Sequence, residues 1–487
     1  MVSANGDAEG EFFSGFVGRP ECVNRARWEV REAGQTLRAA ITTNADFGHL
    51  VVIRPIANST RICEYPRNLR AITLKIALTK VIPMAETTPA PTAAAPASAP
   101  SERLMSLDAY RGFVMLLLAF AAAHENWWQP IFAAHPDKPW LGRLLHHFEH
   151  LDWAGVVLWD LIQPSFMFMV GVSMAFSYAS RARHGQTYWQ MFRHACVRAL
   201  VLILLGVFLR SLDDDITDWT LEDVVTQIGL GYVFLFLLWN RAWWVQLLAA
   251  TLILVAYWAL FALSPVAGNQ VAVSEKQEHY IGFYAHWNQV GNPAHKFDKW
   301  LLNVFPRADG DTFVANYGGY YTLNFIPSLA TMIFGLMAGE WLRGVRGVWQ
   351  KFGGLVLAAT VALVIGQALA HFGVVPIVKR IWTPSFAIYS AGWCLLILAA
   401  LYLVIDILGL RFWAWPAVVV GKNSIAMYAM TYLIARWVLK QLHIHLGERP
   451  FQIFGSEYQL LMENLAVAAI LWLICYWMYR RQVFLRI

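Results

Sequence analysis

Two ionisable residues ten positions apart, His150 and Asp160, carry the strongest chemical signal in the chain. They lie in FEHLDWAGVVLWDLIQPSFMFMVG, with the histidine at the threshold of a long apolar run and the aspartate inside it. A free imidazole, with a pKa of about 6.5, takes a proton from an amine or hydroxyl, or attacks an acyl carbon itself. Glu149 and Asp152 flank His150 and are placed to orient its ring. A carboxylate within an apolar segment is expensive and normally faces a partner, a cavity or a substrate path. Asp160 is therefore expected either to pair with a basic or amide group elsewhere in the bundle or to take part in the chemistry. Pro164, one turn later, is expected to loosen the helix and free a carbonyl.

Other constellations are less specific. His146, His147 and His150 form HHxxH, with His443 and His445 further along, but the pattern has no matched second half and no metal is expected. The acidic stretch RSLDDDITDWTLED lacks the glycine and frame of a calcium loop; it reads as a solvated loop, with Asp218 or Thr220 capping the next helix. NYGGYYTLNF reads either as a tight turn or as part of a sugar-binding rim. SLDAYRGFVM places Asp108 and Arg111 three apart, where they lock a helix end or, through the arginine, meet a phosphate. GKNSIAMYAMTYL sets Asn423 and Ser424 in an apolar segment, as polar glue between helices or as part of a cofactor channel.

The elements that must position these residues follow from composition. With 58% hydrophobic and 14% charged residues, the chain lacks the polar surface of a soluble protein of 487 residues. The fold class expected is an all-α polytopic membrane protein, about ten transmembrane helices in one bundle, with the lipid bilayer as its first partner. The spans are expected near 109–126, 156–180, 195–211, 224–240, 243–264, 322–342, 353–373, 384–408, 414–438 and 460–479. Arginines and lysines gather in alternate short loops, which places the N-terminus in the cytoplasm and His150 on the opposite side. Lys379, Arg380 and Lys440 are the exceptions, falling on the outer side. The net charge of +6 is spread among short loops, so nucleic-acid binding is not expected. Residues 1–83 have a different composition and read as an atypical extension, with Met84 as the expected start of the working protein. Residues 84–102 form a Pro/Ala-rich linker, and 103–487 the membrane domain.

Five segments in this order carry a family resemblance: RLMSLDAYRGFVML, the His150–Asp160 stretch, VVTQIGLGYVF, PIVKRIWTPSF and GKNSIAMYAM. Together they resemble the transmembrane acyltransferases related to heparan-alpha-glucosaminide N-acetyltransferase. The resemblance implies acetyl-CoA as donor, engaged from the cytoplasm, and a sugar acceptor on the outer side, in a bacterial inner membrane protein for which a homodimer is a candidate assembly. His150, Trp153, Gly155, Asp160, Leu161 and Pro164 fit the family's active-histidine pattern. His150 is thus the expected base or acyl carrier, with Asp160 beside it. Asp108, Arg111, Gln227, Lys379, Asn423 and Ser424 are the expected cofactor-binding residues, Asn423 and Gln227 being candidates to stabilise the oxyanion. One departure stands out: Ala122, in AFAAAHENWW, occupies the family's asparagine position, with His124 close by. The rival class is a transporter, for which intramembrane charges would be equally natural, although no inverted repeat is evident between the halves.

Overall fold

Apolar segments with no water to bond must satisfy their own backbone groups, and this chain does so by becoming helical. The computed structural model describes residues 104–266, 280–306, 312–316 and 318–485; the expected extension 1–83 and linker 84–102 lie outside them. The principal helices are α1 (Met105–Phe120), α2 (Ile162–Arg183), α3 (Tyr188–Arg210), α4 (Val224–Leu238), α5 (Trp243–Ala262) and α6 (Phe325–Arg343). They continue with α7 (Val348–His371), α8 (Pro384–Leu401), α9 (Trp415–Gly421), α10 (Ser424–Leu433), α11 (Ala435–Leu446) and α12 (Gln459–Arg480). No strand forms among the described residues; an isolated antiparallel bridge joins Ala154 to Val378.

Seven of the ten expected segments form helices long and apolar enough to cross a membrane, among the described residues. The other three are shorter or broken. The first and fourth become α1 and α4, of 16 and 15 residues. The ninth is divided into α9, α10 and α11. It breaks at Asn423, which leaves helical geometry (φ −126°, ψ 37°) and turns its side chain to the C-terminal segment, donating to the Val483 carbonyl and accepting from the Leu485 amide. Pro164 also differs from expectation. It sits in the first turn of α2, after a 3₁₀ turn over Leu158–Leu161, where no intrahelical bond needs its missing N–H. Asp160, expected inside the apolar run, is therefore at the helix entrance. Asp223, not Asp218 or Thr220, caps α4, because the residue just before the first helical position puts its carboxylate over the Thr226 amide, 3.0 Å away.

The centre of the bundle is the α2–α6 pair, both largely buried, whereas the peripheral α7 is largely exposed. Their contact depends on glycine: a Cβ at Gly171 would meet the Met332 carbonyl, and one at Gly335 the Phe168 carbonyl. On α7, Leu357, Val361 and Val364 are left exposed, as a lipid-facing surface requires. Helix direction alternates, so the bundle has two polar ends. One is tied by bonds such as His124–Asn464, Lys379–Asp160 and Gln227–Tyr321. The other is tied by Asp406, which accepts from the Met105 and Ser106 amides at the start of α1, and by Arg343 donating to the Ala175 carbonyl. The 22 residues of α2 separate the ends by about 33 Å.

Replacing Gly335 by leucine is expected to destabilise the bundle by about 3 kcal/mol through overpacking at the backbone. Gly353→Leu on α7, where an added Cβ meets nothing within 4 Å, should leave thermal unfolding in detergent near wild type.

Candidate active site

The site is built where two irregular segments cross. Residues 150–157 lead into α2, and residues 374–383 lead from α7 into α8. The Ala154–Val378 bridge pins them, and the Gly155 amide donates to the Ile377 carbonyl at 2.9 Å. Gly155 has φ +108°, a conformation that a side chain would strain. The Trp153 indole donates to the Trp287 carbonyl at 3.1 Å, fixing the entry segment under the 280–321 connection. Arg380 reaches back, donating to the carbonyls of Gly318 and Leu151 at 2.8 and 3.3 Å. Trp382 holds the left-handed φ of +46°, and its buried indole donates to Thr331. A bulky residue in that region persists only where its surroundings over-determine it.

These constraints bring together three side chains. Lys379 Nζ lies 3.0 Å from Asp160 Oδ1 and 3.1 Å from His150 Nδ1, and His150 Nδ1 lies 3.1 Å from the same carboxylate oxygen. The other oxygen, Oδ2, accepts from the Val157 amide at 3.3 Å. Asp160 and Lys379 are buried, with side chains 3% and 8% exposed, while His150 is 33% exposed and opens outward. Burial works against the Lys379 ammonium, but the Tyr320 phenol and the Asp160 carboxylate outweigh it and hold the lysine above its ordinary pKa. On the opposite edge of the ring, Nε2 faces Glu125 Oε1 at 3.7 Å. The imidazole therefore has a buried, charge-balanced side at Nδ1 and an accessible side at Nε2.

Sequence neighbours do not orient the ring. Glu149 faces His146 at 3.3 Å instead, and the orienting groups are Asp160 from the entrance of α2 and Lys379 from a distant loop. The expected cofactor residues divide between the two ends. Asp108 and Arg111, 3.4 Å apart, stand at the far end beside Asn423 and Ser424, where Gly421 abuts the Asp108 carbonyl. Gln227 lies at the end of His150, donating to the Tyr321 carbonyl at 3.3 Å, and Lys379 belongs to the histidine cluster. Glu125 carried no signal in the sequence. Lys379 and Arg380 carried one: they break the charge asymmetry of the loops.

No protein-family model matches the chain. Curated proteins similar to it include heparan-alpha-glucosaminide N-acetyltransferase of Mus musculus, 23% identical over 431 residues, and that of Homo sapiens, 23% identical over 448 residues. Each alignment covers 80% of this chain and 61% of the relative. The chain is a distant relative of these enzymes. It spans about three-fifths of the length of the curated relatives it matches. With seven helices among the described residues long and apolar enough to cross a membrane, the relationship supports an integral membrane protein.

Removing Lys379 leaves a buried carboxylate without its cation, a change that typically costs about 3–5 kcal/mol. Lys379→Met should therefore lower thermal stability strongly, and Asp160→Leu/Lys379→Met should be less damaged than the sum of the single substitutions, as a double-mutant cycle would show.

The connection above the site carries its own titration. Burial pushes Asp298 up to about 6 against the bond from the Thr322 amide. A folded pKa above the unfolded one stabilises at low pH, fully below about 3.8, and that contribution is lost as pH rises through about 6. Thermal unfolding of Asp298→Asn should lack this component, so the difference between wild type and variant should narrow or reverse from about pH 4 to above pH 6.

Proposed function

We propose that the protein is a membrane-embedded acetyltransferase, moving an acetyl group from acetyl-CoA to an amino sugar or another sugar of the cell envelope. The observation that carries the reading is the His150–Asp160–Lys379 cluster, which presents one accessible ring nitrogen at the mouth of an apolar bundle. The distant relationship to enzymes named for N-acetyl transfer supports the same chemistry. His150 serves as base toward the acceptor or as acyl carrier, its ring held by Asp160.

The proposed geometry has a direction. Arg181, Arg343, Arg346, Lys351, Arg411 and Arg480 lie toward the end of Asp108 and Arg111, which we place in the cytoplasm of a bacterial inner membrane, with the N-terminus. Acetyl-CoA is engaged there, with Arg111 suited to its phosphates, and Asn423 and Ser424 beside the entry. The acceptor arrives at the opposite end, where His150 is exposed and Gln227 and the Tyr320 segment stand close by.

Purified protein in detergent, given labelled acetyl-CoA and a panel of amino sugars including glucosamine, should acetylate at least one of them. His150→Gln should lower kcat about a hundredfold or more. A wild-type protein that acetylates nothing, or a His150→Gln variant with full activity, would overturn the reading.

A further inference from the structure

Resting on that reading, we infer that Glu125 is the terminal proton acceptor of the reaction, and that Glu463 and Asn464 of α12 are the residues that position it. Asp160 is poorly placed for this role. It lies on the Nδ1 side of the ring, is almost completely buried, and its charge is already shared with Lys379. Glu125 faces the other nitrogen, Nε2, at 3.7 Å, and at 70% exposure it can pass a proton to water. It is the carboxylate that meets both the reactive nitrogen and solvent.

A glutamate in an open turn keeps such a position only if its backbone is held. The preceding residue provides the hold. The His124 amide donates to Asn464 Oδ1 at 2.9 Å, and Asn464 Nδ2 donates back to the His124 carbonyl at 2.8 Å. The two bonds fix both polar groups of residue 124. The His124 ring meets the buried Glu463 carboxylate at 2.5 Å, whose other oxygen is held by His443 at 2.9 Å and by Gln459 at 2.8 Å. This polar node joins the first turns of α12 to His443 and to His124, and it ends one residue short of Glu125.

The proton count is the same by either route. In direct transfer, the acceptor nitrogen or oxygen bonds to the acetyl carbon as the carbon–sulfur bond breaks. Its proton goes to His150 Nε2, which is free in the tautomer whose Nδ1–H donates to Asp160 Oδ1, and then to Glu125 and water, while CoA leaves as its thiolate. If His150 Nε2 first takes the acetyl group, the carbon–sulfur bond breaks in that step and CoA leaves as its thiolate. The acceptor then bonds to the acetyl carbon as the carbon–Nε2 bond breaks, and Glu125 takes the acceptor's proton directly. Both need a carboxylate on the Nε2 side.

The experiment is steady-state acetyl transfer from acetyl-CoA to the amino sugar that the wild-type protein uses, measured for Glu125→Ala, Glu125→Asp, Asn464→Ala and His150→Gln, with and without added formate. Glu125→Ala should lose about a hundredfold in kcat with KM for acetyl-CoA unchanged, and formate should restore part of the loss. Glu125→Asp should keep more activity than Glu125→Ala. Asn464→Ala should lose kcat without formate rescue, since the Glu125 carboxylate is present but misplaced. Full kcat in Glu125→Ala beside an inactive His150→Gln would overturn the relay and leave the acetyltransferase reading standing. A Glu125→Ala variant that formate does not rescue would also overturn it, as would one whose loss follows a lowered unfolding temperature. Full activity in both Glu125→Ala and His150→Gln would sink the underlying reading instead.

Discussion

A carboxylate cannot be buried at the entrance of a membrane helix unless something answers its charge, and the structure around Asp160 is organised by that requirement. Lys379 supplies the countercharge at 3.0 Å, and His150 and the Val157 amide take up the remaining acceptor capacity. The lysine comes from a segment more than two hundred residues away, so the pair holds only if that segment is fixed. The Ala154–Val378 bridge, the reach of Arg380 to Leu151 and Gly318, and the left-handed turn at Trp382 fix it. What looks like local loop irregularity is the condition for satisfying one buried charge.

The rigidity that this demands comes from below. Side-chain geometry within tenths of an ångström needs helices that do not slide, and in lipid there is little hydrophobic force between helices to prevent sliding. Close backbone approach does it instead. Glycines at the α2–α6 contact let carbonyls touch the opposite helix, and Gly112 and Gly421 do the same between α1 and the broken segment that follows α8. Asp160 is carried on α2, and the 374–383 segment runs directly into α8, so the central packing sets their separation.

The membrane class, most helices and the pairing of His150 with the start of an apolar segment were legible in the sequence, because hydropathy and spacing are local properties. Boundaries were less so. Asn423 broke a segment that composition made continuous, since the bonds that reward the break reach Val483 and Leu485, sixty residues on. Glu149 and Asp152 were the natural orienting groups by proximity, yet neighbours in an extended turn do not point together, and the ring is oriented from elsewhere. Lys379 and Arg380 were visible as exceptions to the distribution of positive loops. Their physical meaning lies in buried acceptors that only the folded chain assembles: Asp160 for the lysine and two backbone carbonyls for the arginine.

The two sides of the His150 ring are unequal, and that inequality gives the proposed reaction a direction. At Nδ1 a carboxylate and an ammonium already balance, so a proton moving toward that side would enter a place where charge is costly and solvent is absent. At Nε2 the ring meets an exposed carboxylate, where an added proton is screened and free to leave. A simple histidine–carboxylate pair would stabilise an imidazolium from behind; here Lys379 competes for that carboxylate, and the second one, in front, becomes the group toward which charge can flow. The lysine thus does more than satisfy Asp160. By occupying the rear of the site it would commit the proposed reaction to the open face, where an acceptor from outside the bundle would have to arrive.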